Sequence, residues 1–157
     1  MRGSGHDRFG RYTEDSAAYA DVVDRLRRKW ETAASLVPDP VVKRHKKAGG
    51  LGLVAAGSSD PAVLEALDRL AEKGIYLDYC RVRAFPFGKK VARFLERHDR
   101  VFVVDQNRDA QLKSLLTLEA GYPKERMHSI LSYGGLPLDC RTIVESIERA
   151  ETQGEAA

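Results

Sequence analysis

The chain has 157 residues, 43% of them hydrophobic, and a formal net charge of +3. This length supports one compact domain with an appendage, and so small a charge gives no reason to expect a nucleic-acid partner. No apolar run approaches the ~20 residues that a membrane span needs, and the polar start of the chain is not a secretory signal. Cys80 and Cys140 form no metal or cluster motif by spacing. We therefore expect a cytoplasmic protein that makes no membrane contact.

Two segments precede the predicted compact domain. Residues 1–14 are rich in glycine and charge and are predicted to form a loose arm. Residues 15–37 predict one long amphipathic helix, which Pro38 and Pro40 end. Its apolar stripe comprises Tyr19, Val22, Val23, Leu26, Trp30, Ala33, Ala34 and Val37. We expect this stripe to pack on the compact domain or on a partner, with Trp30 at its centre.

Strands and helices alternate along residues 51–150. The predicted strands are residues 51–56, 75–84, 100–105 and 127–133, and apolar residues at helical spacing lie between and after them. This alternation predicts a three-layer α/β/α fold with a mostly parallel sheet of four to five strands. Val41 and Val42 predict a short additional edge strand, so the domain is bounded at 41–150. A polar tail, residues 151–157, follows it.

The segment that follows the third strand is the candidate site. Residues 101–104 are all apolar and predict a strand covered on both faces. The next helix is predicted to open on Asp109, with Asn107 and Asp109 accepting hydrogen bonds from its first amides. Because parallel strands end together, this turn is expected at the carboxyl end of the sheet, where open α/β folds make their contacts.

Polar side chains in this turn are more numerous than one helix cap needs. Gln106, Arg108 and Gln111 are long, and their amide and guanidinium groups suit contacts with another subunit. The alternative is a turn whose side chains satisfy one another. We favour an interface at Asp105, Gln106, Asn107, Arg108 and Gln111.

No catalytic, cofactor-binding or metal-binding residue is predicted. Asp60, which follows a Gly-Ser-Ser turn, is expected to cap the next helix rather than leave its amides to a phosphate. His45, His98 and His128 have no acid at ligand spacing and are predicted to lie at the surface or the rim of the core. Cys80 is expected to act as a small buried hydrophobe.

Several separated segments resemble known protein families. Residues 53–64, 67–74, 82–87 and 101–105 resemble the strand ends and helix starts of the transketolase carboxyl-terminal domain. Residues 5–15, 28–34 and 105–112 are similar to the alpha subunits of thiamine-diphosphate-dependent 2-oxoacid:acceptor (ferredoxin) oxidoreductases. These matches occur in order along nearly the whole chain.

The resemblance implies a place in an enzyme that converts a 2-oxoacid and coenzyme A to acyl-coenzyme A and carbon dioxide, with electrons passing to ferredoxin. The family's alpha subunit carries a large pyrimidine-binding domain before this segment. We therefore expect a fragment or a split alpha subunit that is inactive alone, with residues 1–14 as the end of that missing domain. Its expected role is assembly.

The same resemblance implies that this chain binds no cofactor itself. Thiamine diphosphate, magnesium, an iron–sulfur cluster and coenzyme A are expected elsewhere in the complete enzyme. The expected partners are the beta subunit and the remaining alpha-subunit domains, with self-association as a further mode. Two alternatives stay open: the carboxyl-terminal domain of another thiamine enzyme, and a free-standing flavodoxin-like nucleotide-binding module.

Overall fold

The computed structural model describes residues 5–154, so residues 1–4 of the predicted arm and 155–157 of the predicted tail lie outside the described residues. The strands are β1 (Val41–Lys43), β2 (Leu51–Ala56), β3 (Asp78–Val82), β4 (Arg100–Asp105) and β5 (Met127–Leu131). The helices are α1 (Ser16–Leu36), α2 (Asp60–Glu72), α3 (Lys89–Leu95), α4 (Gln111–Ala120) and α5 (Cys140–Gly154). No helix among residues 5–154 is both long and apolar enough to cross a bilayer.

The five strands form one sheet in the order β1-β3-β2-β4-β5. Strands β3, β2, β4 and β5 are mutually parallel, and only the edge strand β1 runs antiparallel to its neighbour. The chain moves outward from β2 to β3 on one side and then crosses to β4 on the other. The order of the sheet therefore reverses between β2 and β4, which is where open α/β folds form a crevice.

Helices cover both faces of the sheet and enclose two hydrophobic cores. On one face, α2 and α5 pack over side chains that include Leu53 and Phe102. On the other, α3 and α4 pack over Val54, Cys80 and Val103. This arrangement confirms the three-layer fold. It also explains the unbroken apolar runs of β2 and β4, because central parallel strands are covered on both faces.

The two cysteines lie in different cores. Cys80 belongs to the core under α3 and α4, while Cys140 belongs to the core under α2 and α5, and both are free and buried. Burial raises the pKa of the Cys80 thiol to about 12. Cys80 thus behaves as the small buried hydrophobe that its place in a strand predicts.

The predicted strands differ from the structure mainly at their ends. β2 and β4 have the predicted bounds, but β3 covers only Asp78–Val82 of the predicted 75–84, and β5 ends at Leu131. Helix α5 in turn continues to Gly154, into residues predicted as tail. Within the predicted arm, His6 and Tyr12 form an antiparallel bridge around a turn. The Asp7 carboxylate accepts backbone hydrogen bonds inside that turn.

Helix α1 leaves most of its predicted apolar stripe exposed. Asp15 caps its start by accepting a 2.7 Å hydrogen bond from the Ala18 amide. Near its end, the Trp30 ring meets Phe85 edge-on at 5.2 Å between centroids. The rest of the predicted stripe is largely open: only Val22 is buried. Exposed members of the stripe are Tyr19 (54%), Val23 (46%), Leu26 (50%) and Trp30 (45%).

A buried polar pair lies at the amino end of the sheet. His98 is only 5% exposed, and its Nε2 lies 3.2 Å from Asp78 Oδ2 while its Nδ1 lies 2.6 Å from the Phe94 carbonyl oxygen. The acid that pairs with His98 is 20 residues away in the sequence, and the predicted position of His98 at the surface or the rim of the core is wrong, because the side chain is buried. Asp78 opens β3 and His98 precedes β4, so only the fold brings them together. The other Asp78 oxygen accepts from the His45 amide at 2.7 Å.

Candidate functional site: the carboxyl end of the sheet

A shallow cleft lies at the carboxyl end of the sheet, beside the reversal between β2 and β4. Its volume is about 630 Å³. The loops after β2, β4 and β5 all contribute to it, as expected when parallel strands end together. It is lined by Ser58, Gln106, Asn107, Arg108, Ser132, Tyr133, Gly135, Leu136, Pro137 and Leu138.

Asp105 holds the loop after β4 in place. Its Oδ2 accepts a 2.8 Å hydrogen bond from the amide of Leu112 in the first turn of α4. Its backbone oxygen accepts from the Ser132 amide at 3.1 Å, which joins the loop after β4 to the loop after β5. The helix therefore begins at Gln111 and not at Asp109, with Ala110 before it at φ 52°. The predicted capping role of Asp109 is wrong, and Asp105 has it.

Two neighbouring side chains close the turn on itself. Asn107 Oδ1 accepts a 2.7 Å hydrogen bond from the Asp109 amide, which is the local satisfaction that a polar turn predicts. Arg108 binds the Asp109 carboxylate through Nε at 2.7 Å and Nη2 at 3.2 Å. The Arg108 side chain is 74% exposed, and ion pairs this exposed contribute ~0–1 kcal/mol. The guanidinium group can therefore exchange Asp109 for a carboxylate of another molecule at little cost.

Gln106 connects two loops of the cleft. Its Nε2 donates to the hydroxyl oxygens of Ser58 at 3.1 Å and Ser59 at 3.2 Å. Ser59 is buried, so this amide satisfies a hydroxyl that solvent does not reach. Gln111, in contrast, is exposed and makes no side-chain hydrogen bond to any residue that the structure describes. Arg108 and Gln111 thus present polar groups outward, while Gln106 binds inward.

Asp60 does not cap α2 as predicted. Tyr79 donates to Asp60 Oδ1 at 2.8 Å, and Arg81 Nη1 lies 3.2 Å from Oδ2. Both partners belong to β3, so the carboxylate ties the start of α2 to the neighbouring strand. Burial, together with the bond to Asp60, raises the pKa of Tyr79, which keeps the phenol protonated as a donor. The residue before the helix, Ser59, makes no side-chain capping bond either.

Tyr133 and Leu136, two large side chains on the rim of the cleft, were not predicted as site residues. Tyr133 is 66% exposed and Leu136 is 79% exposed. The sequence feature that could have identified them is the Gly134-Gly135 pair after β5, since a glycine-rich loop there lies at the same end of the sheet. An exposed aromatic and an exposed leucine beside polar groups resemble the composition of protein interfaces.

The described residues do not form a metal or cluster site. No group of three or more histidine, cysteine, aspartate or glutamate side chains within residues 5–154 is arranged to hold a metal ion. The two cysteines are buried in different cores, so they cannot ligate one cluster together. An iron–sulfur cluster, which needs about four cysteine ligands, does not fit the described residues.

Comparison with known proteins gives consistent relatives. No protein-family model matches the chain. The alpha subunit of 2-oxoacid:ferredoxin oxidoreductase 2 from Aeropyrum pernix is 29% identical over 159 residues, covering 99% of this chain and 24% of the relative. The corresponding alpha subunit from Saccharolobus solfataricus is 27% identical over 157 residues, covering 98% of this chain and 24% of the relative. The homologues of this chain are 2-oxoacid:ferredoxin oxidoreductase alpha subunits.

The chain spans about a quarter of the length of these alpha subunits. Among solved structures, the 2-oxoglutarate:ferredoxin oxidoreductase of Magnetococcus marinus, with 2-oxoglutarate, coenzyme A and succinyl-CoA bound, superposes with a TM-score of 0.78. The match covers 94% of this chain and 26% of that chain at 19% identity. It confirms the fold, and the alpha-subunit relatives confirm the resemblance noted in the sequence.

Proposed function

We propose that this chain is a non-catalytic assembly domain of a thiamine-diphosphate-dependent 2-oxoacid:ferredoxin oxidoreductase. The complete enzyme would convert a 2-oxoacid and coenzyme A to acyl-coenzyme A and carbon dioxide, with electrons passing to ferredoxin. The observation that carries an assembly role is the exposed stripe of α1. Homology to alpha subunits supports the proposal that the assembly is such an oxidoreductase.

The stripe on α1 calls for a covering surface. Tyr19, Val23, Leu26 and Trp30 lie three or four residues apart, and each is 45% exposed or more. Contiguous apolar surface of this kind is rare on monomeric proteins and marks sites of contact. Since this chain spans only a quarter of its relatives, the proposed occupant is the remaining part of the alpha subunit.

The carboxyl end of the sheet is the second proposed contact surface. Arg108 and Gln111 present donors there, and Tyr133 and Leu136 add apolar area beside them. Asp105, Gln106 and Asn107 shape the loop from within through the hydrogen bonds described above. The beta subunit is the proposed partner at this end. Thiamine diphosphate, magnesium, the iron–sulfur cluster and coenzyme A are proposed to be held by the other parts of the enzyme.

A binding assay with matched variants tests the assembly role. Leu26→Asp places a charge in the α1 stripe, and Leu118→Asp makes the same change on α4, where Leu118 is 78% exposed. The remaining part of the alpha subunit and the beta subunit are immobilised together, and each purified variant is titrated onto them to measure its dissociation constant. Leu26→Asp is expected to weaken binding by at least about tenfold, equivalent to ~1.4 kcal/mol. An equal effect of both variants, or none, would contradict the proposal.

Calorimetry tests the non-catalytic part of the proposal separately. The isolated chain is titrated with thiamine diphosphate and magnesium. No heat of binding is expected up to concentrations of about 1 mM, because the described residues form no group that could hold the metal. Saturable binding in the micromolar range would make this chain part of the cofactor site.

A further inference from the structure

The edge strand β1 has an open side. It pairs with β3 on one side only, as the first strand of the sheet order, and all three of its residues are exposed. An edge strand presents a row of unpaired backbone N–H and C=O groups to solvent. Such a row is a template onto which another extended segment can pair.

A cleft of about 470 Å³ lies directly beside this strand, on the face of the sheet that α3 covers. Its lining consists of two apolar side chains and four cationic ones. They are Val42, Phe94, Arg44, Lys90, Arg93 and Arg97. No acidic side chain is among them, so the cleft is apolar in part and positively charged.

Three of the four cations are unpartnered among residues 5–154. Lys90 binds Asp39 at 2.6 Å, but Arg44, Arg93 and Arg97 form no ion pair or side-chain hydrogen bond with a described residue. All three are exposed. Like charges gathered at one cleft repel one another. Carboxylates from another molecule would remove that repulsion and bind guanidinium groups through paired hydrogen bonds.

The spacing along β1 matches the spacing of an added strand. Side chains of a strand alternate between faces; Val42 of β1 and Arg44, two residues further along and just past the strand, both line the cleft. A segment paired to the open side of β1 would place every second side chain over the same cleft. Acidic residues at those alternating positions would lie near the three arginines.

We propose that β1 receives an extended acidic segment of another polypeptide by strand addition, with its carboxylates bound by Arg44, Arg93 and Arg97. None of the exposed stripe residues from Tyr19 to Trp30 lines this cleft, and no residue of the carboxyl-end cleft does, although Arg93 also lies beside Ala34 and Val37 at the end of the stripe. The proposal stands on the open strand and its charged cleft, and it does not depend on the oxidoreductase assignment.

The test is an NMR titration of the full ¹⁵N-labelled chain with three synthetic probes. The first is an eight-residue peptide of alternating valine and glutamate. The second replaces glutamate by lysine. The third keeps glutamate but carries N-methyl groups on alternate amides, which removes the donors along one side of the strand. The proposal predicts saturable shifts at the amides of residues 41–44 with the first probe, at a dissociation constant below about 1 mM.

Charge variants identify the surface. The double variant Arg93→Glu with Arg97→Glu should raise the dissociation constant of the first probe by at least about tenfold. Arg141→Glu with Arg149→Glu makes the same change on α5, which covers the opposite face, and should leave binding within about twofold. Thermal melting of both variants shows that each remains folded.

Each other outcome would overturn the proposal. If the lysine peptide binds as tightly as the glutamate peptide, the arginines do not bind carboxylates. If the N-methylated peptide binds as tightly as the unmethylated one, the peptide does not pair with β1 as a strand. Inorganic pyrophosphate that produces the same shifts and displaces the peptide would make the cleft a small-anion site. Absence of saturable binding by the glutamate peptide would leave no docking strand.

Discussion

Helices α1 and α5 both have an apolar face, but only α5 buries that face in this structure. Each carries apolar residues at helical spacing, yet α5 buries Ile143, Val144 and Ile147, while α1 buries only Val22. Periodicity therefore predicts which face of a helix is apolar, but it does not predict what covers that face. In α5 the cover is this chain, and in α1 we propose that it is another.

The difference follows from where each helix lies in the chain. Helix α5 follows β5, the last parallel strand, and folds back over the sheet, as short connections in α/β folds require. Helix α1 precedes the antiparallel strand β1 across the Pro38-Asp39-Pro40 connection. It joins no two parallel strands, so the sheet does not determine its position.

Truncation in the two stripes should produce the largest difference. Ile147→Ala removes a fully buried side chain from the core between α2 and α5, and it should cost ~2–5 kcal/mol of unfolding free energy. Leu26→Ala in α1 removes a side chain that is 50% exposed, and it should cost less than about 1 kcal/mol. Urea unfolding of both variants measures this, and equal costs would show that the α1 stripe is buried in the isolated chain.

The buried pair at the amino end of the sheet should give an intermediate effect. His98→Leu leaves Asp78 Oδ2 and the Phe94 carbonyl without their partner, and a buried group left unsatisfied costs ~1–3 kcal/mol. The exposed His6→Leu, in the turn before α1, is the matched control and should be within about 0.5 kcal/mol of the parent. Thermal unfolding at constant pH compares the two, and a His98→Leu variant as stable as the control would mean that the pair adds nothing.

The smallest expected difference separates two residues of the carboxyl-end loop. Gln106→Ala breaks the bonds to Ser58 and buried Ser59, and it should cost ~0.5–1.5 kcal/mol. Arg108→Ala loses only an exposed pair with Asp109, and it should stay within about 0.5 kcal/mol. Denaturation measurements compare the two variants. A loss of stability in Arg108→Ala, with Gln106→Ala as stable as the parent, would contradict the roles assigned to these residues.

The sequence predicts strand bounds and helix caps well where the residues concerned interact with neighbours in the chain or lie in a central strand. The bounds of β2 and β4 follow from apolar runs that only central parallel strands carry. Asp139, directly before α5, is of a residue type that favours a helix cap, and it accepts from the Thr142 amide at 2.8 Å. That bond lowers the pKa of the Asp139 carboxyl, as expected for a carboxylate that caps a helix.

Residues with competing partners were predicted less well. Asp60 and Asp109 both stand where a cap is favoured, but Tyr79 and Arg81 bind the first, and the adjacent Arg108 binds the second. Partners on a neighbouring strand depend on which strands pair. Spacing along the sequence does not show which strands pair. It therefore predicts neither these contacts of Asp60 nor the contacts of His98 and Gln106.

The central claim is that the remaining part of the alpha subunit covers the α1 stripe, and Trp30 allows a direct measurement of that cover. Trp30 is the single tryptophan of the chain, and it is 45% exposed within that stripe. Labelling with 5-fluorotryptophan therefore gives one ¹⁹F resonance, whose shift between H₂O and D₂O reports solvent contact. In the isolated chain this solvent shift should be substantial. On saturation with the remaining alpha and beta subunits it should fall close to zero, whereas a stoichiometric complex with an unchanged solvent shift would contradict the account.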